Sequence, residues 1–129
     1  MKAFCECRAV QFEVASDIED FSHCHCSQCR RLHGAAYATF AGVKRSSMRY
    51  TSGEDKVARY DSSDTHQRFF CSICGSNVGT TLDDEPDMIY LSMSIIDGDP
   101  PRPPAYHIFV GSKAPWHEIT DDAPQREEY

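Results

Sequence analysis

Residues Cys24-His25-Cys26-Ser27-Gln28-Cys29 place three thiols within six positions. Three sulfurs so closely spaced can all reach one ion, and they leave its fourth coordination position without a cysteine. Three protein ligands plus an open position is how catalytic zinc is held. The same stretch admits a closed site in which His23, His25 or His33 supplies the fourth ligand. An iron–sulfur cluster would need a fourth cysteine. On either side lie two further pairs, Cys5-Glu6-Cys7 and Cys71-Ser72-Ile73-Cys74-Gly75. In the second pair Gly75 supplies the positive-φ position that lets backbone amides face the thiolates. Two such knuckles make a tetrahedral four-cysteine set with zinc–sulfur bonds of ~2.3 Å and no open position, so that site would be structural. It would staple the N-terminal strand to the middle of the chain. The spacing leaves open which pairs share an ion.

The chain around these clusters has 129 residues, enough for one domain spanning 1–129, with 40% apolar and 26% charged residues. No apolar run approaches the ~18 residues of a membrane helix. The opening Met1-Lys-Ala-Phe-Cys-Glu-Cys7 has no apolar core of a secretory signal. A net charge of −7, with acids concentrated in a tail over 120–129, makes a poor binder of nucleic-acid backbone. The expectation is a cytoplasmic domain with no nucleic-acid or membrane partner. Seven cysteines cannot all pair within the chain. In a reducing compartment, clustered cysteines bind metal or do chemistry more often than they form disulfides.

Residues 9–15 alternate strictly, with Val10, Phe12 and Val14 on one face, which reads as a half-buried strand. Segments 36–43, 56–60, 67–71, 77–82, 88–95 and 106–110 are rich in aromatic and β-branched residues and read as further strands. Turn signals separate them at Ser52-Gly53, Asp61–Asp64, Asp83–Pro86 and Asp97-Gly98. Only 27–33 reads as a helix, with Ser27 as its N-cap and Gly34 just past its end. Pro100-Pro-Arg-Pro-Pro104 reads as a stiff connector between strands.

Four stretches together carry a family resemblance. They are Ala9-Val-Gln-Phe-Glu-Val14 after the first Cys-x-Cys, Cys24-His-Cys-Ser-Gln-Cys-Arg-Arg31, Phe70-Cys-Ser-Ile-Cys-Gly-Ser76 and His107-Ile-Phe-Val-Gly-Ser-Lys-Ala-Pro-Trp-His-Glu-Ile119. The chain resembles, from about Ala3 to Ile119, the glutathione-dependent formaldehyde-activating enzymes, a family that includes centromere protein V. The resemblance implies a mainly β, β-tent zinc-binding fold of short antiparallel strands with one short helix. It also implies two zincs per chain. Cys5, Cys7, Cys71 and Cys74 would hold the structural one, and Cys24, Cys26 and Cys29 the open, catalytic one. Ala3 and Arg8 stand where the family usually has glycine.

The implied activity is that of a carbon–sulfur lyase of the S-(hydroxymethyl)glutathione synthase type, acting on a small-molecule thiol or aldehyde adduct. A thiol entering the open position would be deprotonated there and become a nucleophile at neutral pH. Glutathione carries two carboxylates, for which Arg30, Arg31 and Lys113 are the candidate partners. His33, four residues after Cys29, is a candidate proton relay, and Trp116 reads as a core plug. Two other classes compete with the enzyme. One is a non-catalytic, zinc-stabilised binding module, since fold does not settle function. The other is a methionine sulfoxide reductase, which would need a free cysteine outside the metal sets.

Overall fold

A computed structural model describes all residues from Met1 to Tyr129. Ten strands and one α-helix make the chain mainly β, as expected. Strands β1 (Lys2–Phe4), β2 (Gln11–Val14) and β5 (Met48–Ser52) form a three-stranded antiparallel sheet in the order β1-β2-β5. The second sheet has seven strands. They are β3 (Asp20–Cys24), β4 (Ala38–Lys44), β6 (Val57–Asp61), β7 (His66–Cys71), β8 (Asn77–Leu82), β9 (Met88–Ser92) and β10 (Tyr106–Ile108), in the order β10-β3-β4-β9-β8-β7-β6. All its pairs are antiparallel except β10 with β3, which run parallel.

The main core lies where the two sheets meet. The inward residues of β2, Phe12 and Val14, pack with Ala41 and Val43 of β4, Val78 of β8 and Leu91 of β9. Each large apolar side chain buried this fully contributes about 1.5–3 kcal/mol. A smaller core of Cys24, Cys29, Ala38, Phe40 and Ile108 sits apart from it, around the helix α1 (Ser27–His33).

The helix has the expected bounds, with Gly34 in the left-handed conformation at its end (φ 59°). Its N-cap, however, is Cys26 and not Ser27. The Cys26 Sγ accepts a hydrogen bond from the Cys29 N–H at 3.2 Å, the role a cap oxygen usually fills. Strands β1, β3 and β5 were not expected. β1 has only three residues, and β3 carries Asp20, Ser22 and His23, polar residues that hide its period. β5 is an edge strand with its side chains largely exposed. The run 88–95 leaves the sheet at Ser92 and turns into a 3₁₀ turn over Met93–Ile95. The run 106–110 stops at Ile108, because Phe109 has φ 57° and bends the chain out of the strand.

The proline run 100–104 connects β9 and β10 without regular structure. Trp116 is no core plug, since it is 71% exposed. The end of the chain does not trail into solvent. It runs back along β10, with the His107 N–H donating to Pro124 O at 2.8 Å and the Arg126 N–H to His107 O at 2.9 Å. No helix is long and apolar enough to cross a membrane.

Candidate metal centres

The N-terminal knuckle forms because the chain must reverse between β1 and β2. The Arg8 N–H donates to Cys5 O at 3.0 Å and the Cys5 N–H to Val10 O at 3.1 Å. Arg8 closes this turn at φ 62°. A non-glycine residue there bears a steric cost on the order of 1–2 kcal/mol, so the arginine is held in the conformation a glycine would adopt freely. In the second knuckle the Gly75 N–H donates to Cys71 O at 2.8 Å, with Gly75 at φ 79°. Backbone amides face the sulfurs in both, Val10 N–H to Cys5 Sγ at 3.3 Å and Ile73 N–H to Cys71 Sγ at 3.4 Å.

The four sulfurs of Cys5, Cys7, Cys71 and Cys74 lie within 4.8 Å of one another. Cys5 and Cys7 are 3.6 Å apart, and Cys7 and Cys71 3.8 Å. A tetrahedron with ~2.3 Å metal–sulfur bonds has edges of about 3.8 Å, so this donor set fits a zinc ion. The Ser76 hydroxyl and neighbouring backbone N–H groups hold the Cys74 thiol down to about 5, favouring the ligating thiolate. Cys5 and Cys71 are buried, while Cys7 and Cys74 reach the surface.

The second centre is built from the end of β3 and the start of α1. Cys24 closes β3, Cys26 caps the helix and Cys29 lies in its first turn, and the three sulfurs again fall within 4.8 Å. The Cys24 and Cys29 thiols share hydrogen bonds with Cys26, pulling its pKa far below the usual thiol range and pushing that of Cys24 up. The cluster therefore places its negative charge on Cys26, with two further sulfurs alongside that a cation would share. No histidine joins it. His25, between two of the cysteines, turns away and shares a 2.7 Å hydrogen bond with His107. His23 bonds Thr39 at 2.9 Å, and His33 packs edge-on against Phe40. The closed three-cysteine, one-histidine site is thus not assembled.

Arg68 of β7 is the residue that the sequence did not reveal. It is only 7% exposed, yet no carboxylate pairs with it. Its guanidinium reaches Cys29 Sγ at 3.5 and 3.6 Å, Gln28 Oε1 at 2.9 Å and Ser62 Oγ at 3.2 Å. A buried guanidinium stays charged and needs a counter-charge. Here only sulfur supplies one. With a divalent ion, three thiolates and Arg68 sum to zero charge.

Cys24, Cys26 and Cys29 line a cavity of about 450 Å³, walled by Phe40, Ile108 and Phe109, whereas the four-sulfur centre does not touch it. The fourth side of the three-sulfur cluster thus opens onto a small-molecule-sized space.

The family model described as glutathione-dependent formaldehyde-activating enzyme matches residues 1–112. The chain belongs to that family. It is 30% identical, over 92% of its length and 80% of the relative's, to a Halomonas elongata protein provisionally named a glutathione-dependent formaldehyde-activating enzyme. A Podospora anserina protein with the same provisional name is 26% identical over 87% of the chain, and an uncharacterized lyase of Schizosaccharomyces pombe 28% identical over 57%. The matches span 54% and 52% of those two longer relatives. Among solved structures, a crystal structure of a Rhodobacter sphaeroides protein superposes with a TM-score of 0.65 at 28% identity, covering 78% of this chain and 92% of that one.

The glutathione implied by the family would meet different cations from those expected. Arg30 donates to the backbone carbonyls of His25 and Ser112, Arg31 is exposed, and the Lys113 ammonium is engaged by the carbonyls of Ala114 and His117. None of the three lines the cavity. The cations that do are Arg68 and Arg126. His33, the candidate relay, also lies outside it.

Two buried histidines, tied to an exposed carboxylate, lie behind the cluster. His107 takes the His25 bond on Nδ1, and its Nε2 lies 3.0 and 3.1 Å from the Asp121 carboxylate oxygens. Asp121 lies beyond the family match, and the sequence shows nothing that would pair it with His107.

Proposed function

We propose that this protein is a zinc-dependent carbon–sulfur lyase, or thiol-adduct synthase, that joins a small thiol of the glutathione type to formaldehyde or releases it from the S-hydroxymethyl adduct. Zinc would be held by Cys24, Cys26 and Cys29 at the cavity and by Cys5, Cys7, Cys71 and Cys74 in the structural centre. The observation that carries this reading is the contrast in access, since only the three-sulfur cluster opens onto the cavity.

A zinc ion there would supply a positive charge that lowers the pKa of an incoming thiol. The protein's own residues do the rest. Arg68 neutralises the surplus charge of the three cysteines, so an anionic sulfur can approach without net repulsion. Phe40, Ile108 and Phe109 give the space an apolar wall beside the cluster against which the small aldehyde packs. Thiolate sulfur then attacks the carbonyl carbon, the carbon–oxygen π pair moves to oxygen, and the alkoxide takes a proton to give the S-hydroxymethyl product. The reverse path returns thiol and aldehyde.

The test is exchange spectroscopy by nuclear magnetic resonance on the zinc-loaded protein with glutathione and formaldehyde. Faster interconversion of free thiol and adduct than in buffer supports the reading, as does its loss in Cys26→Ala. Unchanged turnover in Cys26→Ala would sink it.

A further inference from the structure

The last residues of the chain form part of the cavity wall, although the family match ends at residue 112. Beyond the two hydrogen bonds at His107, the Phe109 N–H donates to Glu128 O at 2.8 Å and the Val110 N–H to Arg126 O at 3.1 Å. These bonds add the segment as a short parallel extension of the sheet at β10, bridged at His107 and Gln125. At its end the Tyr129 hydroxyl donates to Glu85 Oε2 at 3.2 Å, tying the segment to the β8–β9 turn. Phe109 and Tyr129 meet edge to face at 6.4 Å.

The segment carries Arg126 into that wall. Its guanidinium lies over the Tyr106 ring, 4.4 Å from the centroid, and joins none of the molecule's ion pairs. Of the arginines and lysines without an ionic partner, Arg68 and Arg126 are the two that line the cavity. Arg68, the other cavity arginine, is committed to Cys29, Gln28 and Ser62. Asp20 and Asp84 also line the space and would repel an anion placed beside them. Stacking on Tyr106 fixes the plane of the Arg126 guanidinium and leaves its N–H edge available, the geometry that takes a carboxylate.

We infer that residues 124–129 are the specificity element of this cavity and that Arg126 anchors a carboxylate of the thiol substrate while its sulfur points toward the three cysteines. The inference rests on the thiol-adduct reading and assigns the preference for acidic thiols to a segment outside the matched family region.

Calorimetric titration of zinc-loaded protein with three probes tests it. Glutathione has both thiol and carboxylates, S-methylglutathione has the carboxylates alone, and 2-mercaptoethanol has the thiol alone. Arg126→Gln is expected to weaken the first two about tenfold each and to leave 2-mercaptoethanol unchanged. Arg126→Lys should recover part of the loss, and a melting temperature equal to that of the parent confirms an intact fold. Equal weakening of all three probes, or of none, overturns the inference, as does a parent protein that binds neither carboxylated probe. If the parent binds S-methylglutathione as tightly as glutathione and still loses both in Arg126→Gln, the anchor stands and the thiol-at-metal reading falls.

Discussion

The four-sulfur centre joins the turn after β1 to the end of β7, with two sulfurs in the main core and two at the surface. The three-sulfur centre occupies its own small core at the start of α1 and faces a cavity. A divalent ion with four thiolates keeps two negative charges, which backbone N–H groups and surface water solvate. With three thiolates the surplus is one charge, and the buried Arg68 cancels it. With divalent ions in place, one centre would be complete in coordination, and the other would be neutral overall and short of one ligand. The difference teaches that the same side chain would staple the fold where the set is complete, and present a reactive face where it is not.

The largest effect should come from breaking the staple. Cys71→Ala removes a ligand that is fully buried in the main core. Structural zinc in small domains contributes on the order of 10 kcal/mol, comparable to a whole domain's stability. The expected outcome is a chain that is unfolded at 25 °C by circular dichroism and has lost both ions. Cys26→Ala, by contrast, should keep its strands and the four-sulfur ion while adduct exchange falls to the rate in buffer. If it unfolds as completely as Cys71→Ala, the division of labour is wrong.

Arg68→Met sharpens the comparison from the electrostatic side. Removing the guanidinium leaves the three-cysteine site with a net negative charge in a buried setting. The affinity of that site for zinc should fall about 10–100-fold, measured by competition with a chromogenic chelator, with the four-sulfur site unaffected. Equal loss at both sites would mean that Arg68 acts on the fold rather than on the cluster.

The smallest effect concerns His33, which lies in a surface hollow that also takes in Cys5 and Ser76 and so sits between the two centres. Burial, then the charge of Arg68, holds its pKa down to about 4. A histidine in the unfolded chain titrates near 6.5, so below that pH the unfolded state binds more protons. Stability is therefore full above pH ~6.5 and is lost as the pH falls toward 4. With partial solvent screening, His33 accounts for roughly 1–2 kcal/mol of that loss. Thermal melts of His33→Gln should show a correspondingly flatter pH dependence, and an unchanged slope would remove His33 from the account.

The three-cysteine cluster was legible in the sequence because its residues sit two or three positions apart on a tight turn, where spacing alone brings the sulfurs together. The helix bounds were legible for the same local reason. The four-cysteine cluster was legible from spacing only as two separate pairs, and its assembly came from the family resemblance. What spacing cannot show is who arrives from elsewhere. Arg68 meets Cys29 only because the fold brings the Arg68 side chain of β7 within reach of α1, and Asp121 meets His107 only because the chain returns alongside β10. Adjacency also misled. Arg30 and Arg31 follow Cys29 directly, but successive helical residues turn by about 100°, so a cysteine facing the cavity sends its neighbours elsewhere. β3 stayed hidden because its inward residues, Ser22 and Cys24, serve the cavity rather than an apolar core.

The division of seven thiols into four and three also sets how the protein meets an oxidant when the three-cysteine site is emptied and the four-cysteine staple keeps its ion. Four sulfurs that share an ion offer no free thiol. Three can form one disulfide at most, so one thiol remains facing the cavity. That thiol is placed to form a mixed disulfide with whatever small thiol occupies the space. A folded sample with that site emptied, air-oxidised in the presence of glutathione, should then carry one adduct per chain at Cys24, Cys26 or Cys29, releasable by reductant, and none on the staple.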